Sequence, residues 1–170
     1  YAARTIHPLL ASRAYSWVNG DAEVSVFRSD HGVWQRDTFL GSPNEWVTKN
    51  NKVFRLSLEQ ELDEEIHHRV LFQLQEQGAT DYLGIQMPFG NGELNSIYIS
   101  TDKVGGFSDD DCEKFKLLSQ SLIPVFETIS TREIARIVME TYVGHRTGNK
   151  VLNGQIKRGD GELIKAAIWY

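Results

Sequence analysis

Residues 82–89 and 93–101 alternate apolar and polar side chains on either side of Gly90-Asn91-Gly92. Glycine and asparagine accept the left-handed backbone of a tight connection, so this stretch predicts an antiparallel hairpin. Alternation with period two gives each strand a dry face and a wetter one. A lone hairpin cannot bury its dry face in water, so the rest of the chain must supply further strands and covering helices.

The flanking sequence contains both. Residues 13–18 and 23–28 are short β-type runs around Asn19-Gly20-Asp21, a second hairpin signal, and residues 53–58 read as another strand. Ser42-Pro43-Asn44-Glu45 combines an N-cap, a proline at the first helical position and an acid at the third, predicting a short helix to about Lys49. Residues 63–77 favour helix, with Ile66, Val70, Leu71 and Leu74 at helical spacing and Gly78 placed to end it. Ser108-Asp109-Asp110-Asp111 then caps a long helix to about Tyr142, its acids lying where the helix dipole favours negative charge. Pro124 inside that helix lacks a backbone donor and crowds Gln120, which predicts a kink or break. Leu118, Leu122, Val125, Ile129, Ile134, Ile137 and Val138 offer more apolar surface than one sheet covers, so pairing with a second copy of the chain is expected. The fold class is α+β: a central antiparallel sheet, flanking helices and a long C-terminal helix.

Alternation also sorts the strands by face. Val24 and Val26, Phe54, Leu56 and Leu58, Leu83, Ile85, Met87 and Phe89, and Ile97 and Ile99 make one apolar set, expected to pack on helices. The other set mixes rings and polar groups, including Tyr15, Trp17, Phe27, Arg55, Tyr82, Gln86, Ser96 and Tyr98. Small-molecule pockets use such a mixture, and so does a partly covered outer face. Tyr15, Trp17, Arg55, Tyr82, Gln86 and Tyr98 are the candidate ligand-binding residues.

Charge and motif content narrow the function classes. Residues 1–142 carry 13 Lys and Arg against 21 Asp and Glu, which disfavours a nucleic-acid partner. Residues 143–170 carry 5 against 2, basic charges interrupted by glycines as in a solvated linker or hinge. No apolar run is long enough to cross a bilayer, so a cytoplasmic protein without membrane attachment is expected. The lone Cys112 forms no internal disulfide and agrees with a reducing compartment. Glu64 and His68 share a helical spacing, but two ligands are too few for a metal site and a solvated face is the commoner use. Phosphate-binding loops, nucleophile elbows and Cys/His clusters are absent from the sequence, so no metal or catalytic residue is assigned.

The order of elements, with Gly105-Gly106-Phe107-Ser108-Asp109-Asp110-Asp111 leading into the long helix, resembles a GAF-type sensory domain over residues 1–142. That resemblance implies a ligand pocket on one sheet face and helices on the other. Tyr142-Val143-Gly144, Gly148, Val151-Leu152, Gly154, Ile156, Arg158-Gly159-Asp160-Gly161-Glu162 and Ala166-Ala167-Ile168-Trp169-Tyr170 resemble the segment leading into the catalytic domain of bacterial class III adenylate/guanylate cyclases. The two resemblances divide the chain into a GAF-like sensory core (1–108), an output and dimerisation helix (109–142), and a linker with the first strand of a truncated cyclase domain (143–170). The implied function is signal transduction: a homodimeric input module that controls cyclic nucleotide biosynthesis by a catalytic domain beyond Tyr170. Magnesium or manganese would serve that domain, and no cofactor is expected in this chain. The alternative is a purely structural dimerisation domain without a ligand.

Overall fold

The computed structural model describes residues 2–7, 11–29, 31–92 and 94–155, with residues 159, 165 and 167. It divides into two compact units, residues 1–130 and 131–170.

The first unit is built on a six-stranded antiparallel sheet. Its strands are β1 (Ala2–His7), β2 (Ala11–Ser16), β3 (Ser25–Ser29), β4 (Phe54–Ser57), β5 (Asp81–Pro88) and β6 (Leu94–Thr101), in the spatial order β3-β2-β1-β6-β5-β4. The β5–β6 hairpin stands as expected, with Leu83 opposite Ile99 and Ile85 opposite Ile97. Strand β1, which carries no alternation or turn signal of its own, inserts between β6 and β2 and closes the sheet.

Both faces of the sheet are covered. On one side the start of α3 (Asp109–Val143) lies against Leu83, Ile85, Met87, Ile97 and Ile99, adding Phe107, Cys112, Phe115, Leu122, Ile123 and Phe126 to a single core. On the other, α1 (Pro43–Asn50) and α2 (Arg69–Glu76) join Val47, Leu58, Leu71, Tyr82 and Tyr98 in a second core. Each fully buried aliphatic side chain contributes roughly 1.5–3 kcal/mol, so these two layers dominate the stability of the unit.

Local chemistry sets the helix ends. Glu45 N–H donates to Ser42 Oγ at 3.2 Å and Gly41 N–H to Glu45 Oε2 at 2.7 Å, the expected cap of α1. Asp111 N–H donates to Ser108 Oγ at 3.1 Å while Ser108 N–H donates back to Asp111 Oδ2 at 3.0 Å, a reciprocal capping box for α3. Helix α2 begins later than its apolar spacing suggests, at Arg69 instead of Asp63, because His68 takes the cap: its Nδ1 accepts from Val70 N–H at 3.2 Å. Glu64 and His68 therefore do not share a helical face. Gly78, with φ of +90°, ends α2 as anticipated. Helix α3 runs without a break through Pro124; Gln120, whose carbonyl loses its donor there, is exposed to water.

Strand β4 corrects the assignment of faces. Arg55 pairs with Leu83 and Leu56 with Tyr82, so Arg55 stands on the α3 side and Phe54 and Leu56 on the α1 side, the reverse of the expected arrangement. Val24 and Val26 are about half exposed, so the outer edge at β3 lacks the helical cover that was expected for them.

Asp81, at the start of β5, is 2% exposed. Its Oδ2 accepts from Phe107 N–H at 3.0 Å and from Arg55 Nε and Nη2 at 3.1 and 3.0 Å, and its Oδ1 accepts from Tyr82 N–H at 2.9 Å. Arg55 also donates to the Phe107 carbonyl. Gly106, with φ of +70°, passes so close that an added Cβ would lie 2.6 Å from Asp81 Oδ2. A side chain at Gly106 is thus excluded twice, by backbone conformation and by space.

The second unit joins the last turns of α3 to α4 (His145–Leu152) across Gly144, whose φ is +88°. A helix stands where the sequence suggests a hinge. Gly148 is buried against Met139, where a Cβ would sit 3.0 Å from the backbone carbonyl carbon. Arg136 bonds Glu133 at 3.0 and 2.7 Å and Glu140 at 2.6 Å, and Glu140 also meets His145 Nδ1 at 2.9 Å. The strand expected from Ile168 lies outside the described residues.

Two predictions follow from these contacts. Asp81→Ala leaves the Phe107 amide and the Arg55 guanidinium without their acceptor and should cost about 3 kcal/mol, read as a lowered urea midpoint with an unchanged slope. Arg136, and after it His145, hold the Glu140 carboxyl below its ordinary value of 4.5. A depressed native value means this stabilisation is complete above pH 4.5 and is lost as pH falls through the native value. Acid titration of α4 helicity, followed by NMR at Gly148, should therefore show a loss below that pH which Glu140→Gln removes.

Candidate functional site

Between the sheet and the α1–α2 layer lies a cavity of about 370 Å³. Its floor is the sheet face of Ala14, Ser16, Tyr82, Tyr98 and Ser100; its walls are Pro43 and Asn44 of α1 and Val70 and Leu74 of α2; and Trp17, Val18, Thr38, Ser42, His68, Gln77 and Ile99 complete the lining. The Ser42 cap places Asn44 on the buried side of α1, and the amphipathic spacing of α2 turns Val70 and Leu74 inward.

Trp17 is held by its own turn. Its indole Nε1–H donates to the Asp21 carbonyl at 3.0 Å, and Val18 N–H donates to Asp21 Oδ2 at 3.0 Å. The ring therefore meets the cavity as an apolar plane. Tyr82 and Tyr98 stack with centroids 5.9 Å apart and planes 16° from parallel. Gly84, opposite Tyr98 on β5, leaves room for that ring: a Cβ there would lie 3.0 Å from the Tyr98 ring and 3.0 Å from Val47.

The polar groups form an ordered set. Tyr98 O–H donates to Asn44 Oδ1 at 2.6 Å, the Ser96 hydroxyl reaches the same oxygen at 3.3 Å, and the two hydroxyls are 2.7 Å apart. The amide of Asn44 is thereby oriented, and its nitrogen bonds no described residue. The Tyr82 hydroxyl likewise has no hydrogen-bond partner among the described residues. Burial, and after it the neighbouring Tyr98, push the Tyr82 hydroxyl well above the ordinary phenol range, so it remains protonated and a donor. His68 has both ring nitrogens engaged: Nδ1 accepts from Val70 N–H and Nε2 lies 2.8 Å from the Asp37 carbonyl. Val70 N–H can donate only to a bare nitrogen, so the ring proton sits on Nε2. This set can bind and orient a molecule; none of the described lining groups pairs a nucleophile with a base. No group of three His, Cys, Asp or Glu among the described residues could hold a metal ion.

Three of the six candidate ligand residues, Trp17, Tyr82 and Tyr98, meet at the cavity. Tyr15 does not: it lies on the opposite face, its ring 6.0 Å from that of Phe126. Arg55 pairs with Asp81 and Asp109, again on the α3 side. Gln86 belongs to the correct face but not to the cavity, and its buried Oε1 has no partner among the described residues. Asn44, His68, Val70 and Leu74 were not singled out for this role; the capping motif around Asn44 was visible, but its packing against β6 was not.

No protein-family model matches the chain, and neither does any curated protein. Among solved structures it is similar to the GAF domain of a two-component sensor histidine kinase from Bacillus halodurans, with a TM-score of 0.53 and 13% identity, covering 76% of this chain and 82% of that one. No helix among the described residues is long and apolar enough to cross a membrane. Gly84→Ala should drive the Tyr98 ring into the cavity and cost about 1–3 kcal/mol, which thermal unfolding will show, with a loss of ring-current shifts between Tyr82 and Tyr98. The sheet order, the helices on both faces and the long terminal helix make this fold GAF-like.

Proposed function

We propose that the chain is a regulatory sensory module that binds a small molecule in the cavity between the sheet and α1–α2. The observation that carries this reading is an aromatic cavity lined by two donors, the Tyr82 hydroxyl and the Asn44 amide, that have no partner among the described residues. Donors set among aromatic walls are complemented by a ligand acceptor.

Consecutive residues of a strand point to opposite faces, so Tyr82 at the cavity and Asp81 at the entry to α3 are neighbours in the chain. A ligand that moves Tyr82 acts directly on the residue anchoring Phe107, and α3 carries the change onward. The output side is a homodimer through α3: Leu118, Val125 and Ile129, spaced seven and four residues apart, are exposed along it as a helix-pairing seam would be. The finer assignment, a class III adenylate/guanylate cyclase domain following this chain, draws its support from the sequence resemblance of residues 142–170. Magnesium or manganese belongs to that domain's chemistry.

Light scattering at micromolar concentration should give a dimer, and Val125→Glu a folded monomer with the cavity intact; a wild-type monomer would remove the dimer. The cyclase pairing is tested on the longer natural protein, by release of pyrophosphate from ATP or GTP with magnesium or manganese. Absence of turnover with either nucleotide would remove it.

A further inference from the structure

We infer that the cavity takes an uncharged, flat molecule of one or two rings that carries a carbonyl or ring-nitrogen acceptor, such as a heterocycle or an aryl amide. This rests on the cavity being the sensor's binding site, and goes further by naming the chemistry of what it binds.

Shape comes first. A volume of about 370 Å³ has room for about a dozen waters, enough for one or two rings with a short substituent. The Trp17 ring, whose N–H is spent on Asp21, and the stacked Tyr82–Tyr98 pair offer flat surfaces, while Val70 and Leu74 close the opposite side. Flat apolar walls favour a flat occupant.

Hydrogen bonding sets the polarity of the ligand's edge. Two lining groups without a partner among the described residues, the Asn44 amide nitrogen and the Tyr82 hydroxyl, present protons, while the Ser16, Thr38 and Ser100 hydroxyls and the exposed Gln77 amide can take either role. With the Tyr98 and Ser96 hydroxyls donating to its oxygen, Asn44 has its amide nitrogen left for a ligand. Tyr82 keeps its proton because burial disfavours the phenolate. The complementary group is an acceptor.

Charge is set by the described lining, which contains no Lys, Arg, Asp or Glu. His68 supplies no free nitrogen, since one accepts from Val70 and the other meets the Asp37 carbonyl. A phosphate or carboxylate entering here would lose its hydration without gaining an ion pair. Neutral donors alone repay that loss poorly, whereas they match a carbonyl or a ring nitrogen well.

The test uses the full chain and near-isosteric pairs of an amide and its carboxylate: nicotinamide and nicotinate, indole-3-acetamide and indole-3-acetate. Binding is measured by ligand-observed NMR titration. Neutral members should bind at least about tenfold more tightly than their anionic partners. Tyr82→Phe removes one hydroxyl that has no partner among the described residues, so it should leave the unfolding temperature unchanged and weaken the neutral members about fivefold. Asn44→Leu, checked for folding by circular dichroism, should weaken them further. Anionic members that bind as tightly as the neutral ones, and whose binding Trp17→Ala abolishes, would overturn the neutral-ligand inference while leaving the sensor reading intact. Binding by neither set, or binding indifferent to Trp17→Ala, would overturn both.

Discussion

The carboxylate of Asp81 ties the sheet to the long helix. It is buried, it accepts four hydrogen bonds, and its partners come from β4, from β5 itself and from the residue just before the cap of α3. An unpaired carboxylate in this position would be costly, so the Phe107 amide and the Arg55 guanidinium are held as firmly as they hold it. Gly106 permits the approach because it has neither a Cβ to clash nor a barrier to positive φ. Once Phe107 is anchored, the Ser108–Asp111 box starts α3 in a fixed place and its apolar residues fall onto β5 and β6.

That anchor lies back to back with the cavity. Tyr82 follows Asp81 in the chain and faces the other way, where it stacks on Tyr98, which in turn orients Asn44 through its hydroxyl. The cavity wall and the helix start are thus two sides of one strand, a shorter path than any through packed side chains. A ligand shifts a protein only as far as it binds one arrangement better than another. On the proposed reading, a ligand would bias the position of β5 relative to α1, with Tyr82 on one face of the strand and Asp81 on the other.

Much of this fold was legible because its signals are local. The hairpin at Gly90-Asn91-Gly92 and the caps at Ser42 and Ser108 are read from four or five adjacent residues and stand where expected. What the sequence hid depends on residues far apart. Because helices cover both faces of the sheet, apolar alternation does not say which face is which, and Phe54, Leu56, Tyr15 and Arg55 were assigned to the wrong sides. Strand β1 shows no alternation and exists through its partners on both edges. Ile66 continues the helical spacing of α2, yet residues 63–67 form a separate turn in which His67 N–H donates to the Asp63 carbonyl at 2.8 Å. Half of the candidate ligand residues reached the cavity for the same reason: aromatic character marks a pocket wall and a core residue alike.

The central claim is that the cavity wall and the entry to α3 are coupled through β5. Hydrogen exchange at the Phe107 amide, bonded to Asp81, reports on it most directly. Tyr82→Leu and Leu74→Ala both disturb the cavity, one from β5 and one from α2. The account predicts that Tyr82→Leu speeds exchange at Phe107 beyond its effect on the rest of the sheet, and that Leu74→Ala does not. Equal acceleration by the two variants, or none by Tyr82→Leu in a protein that remains folded, would contradict it.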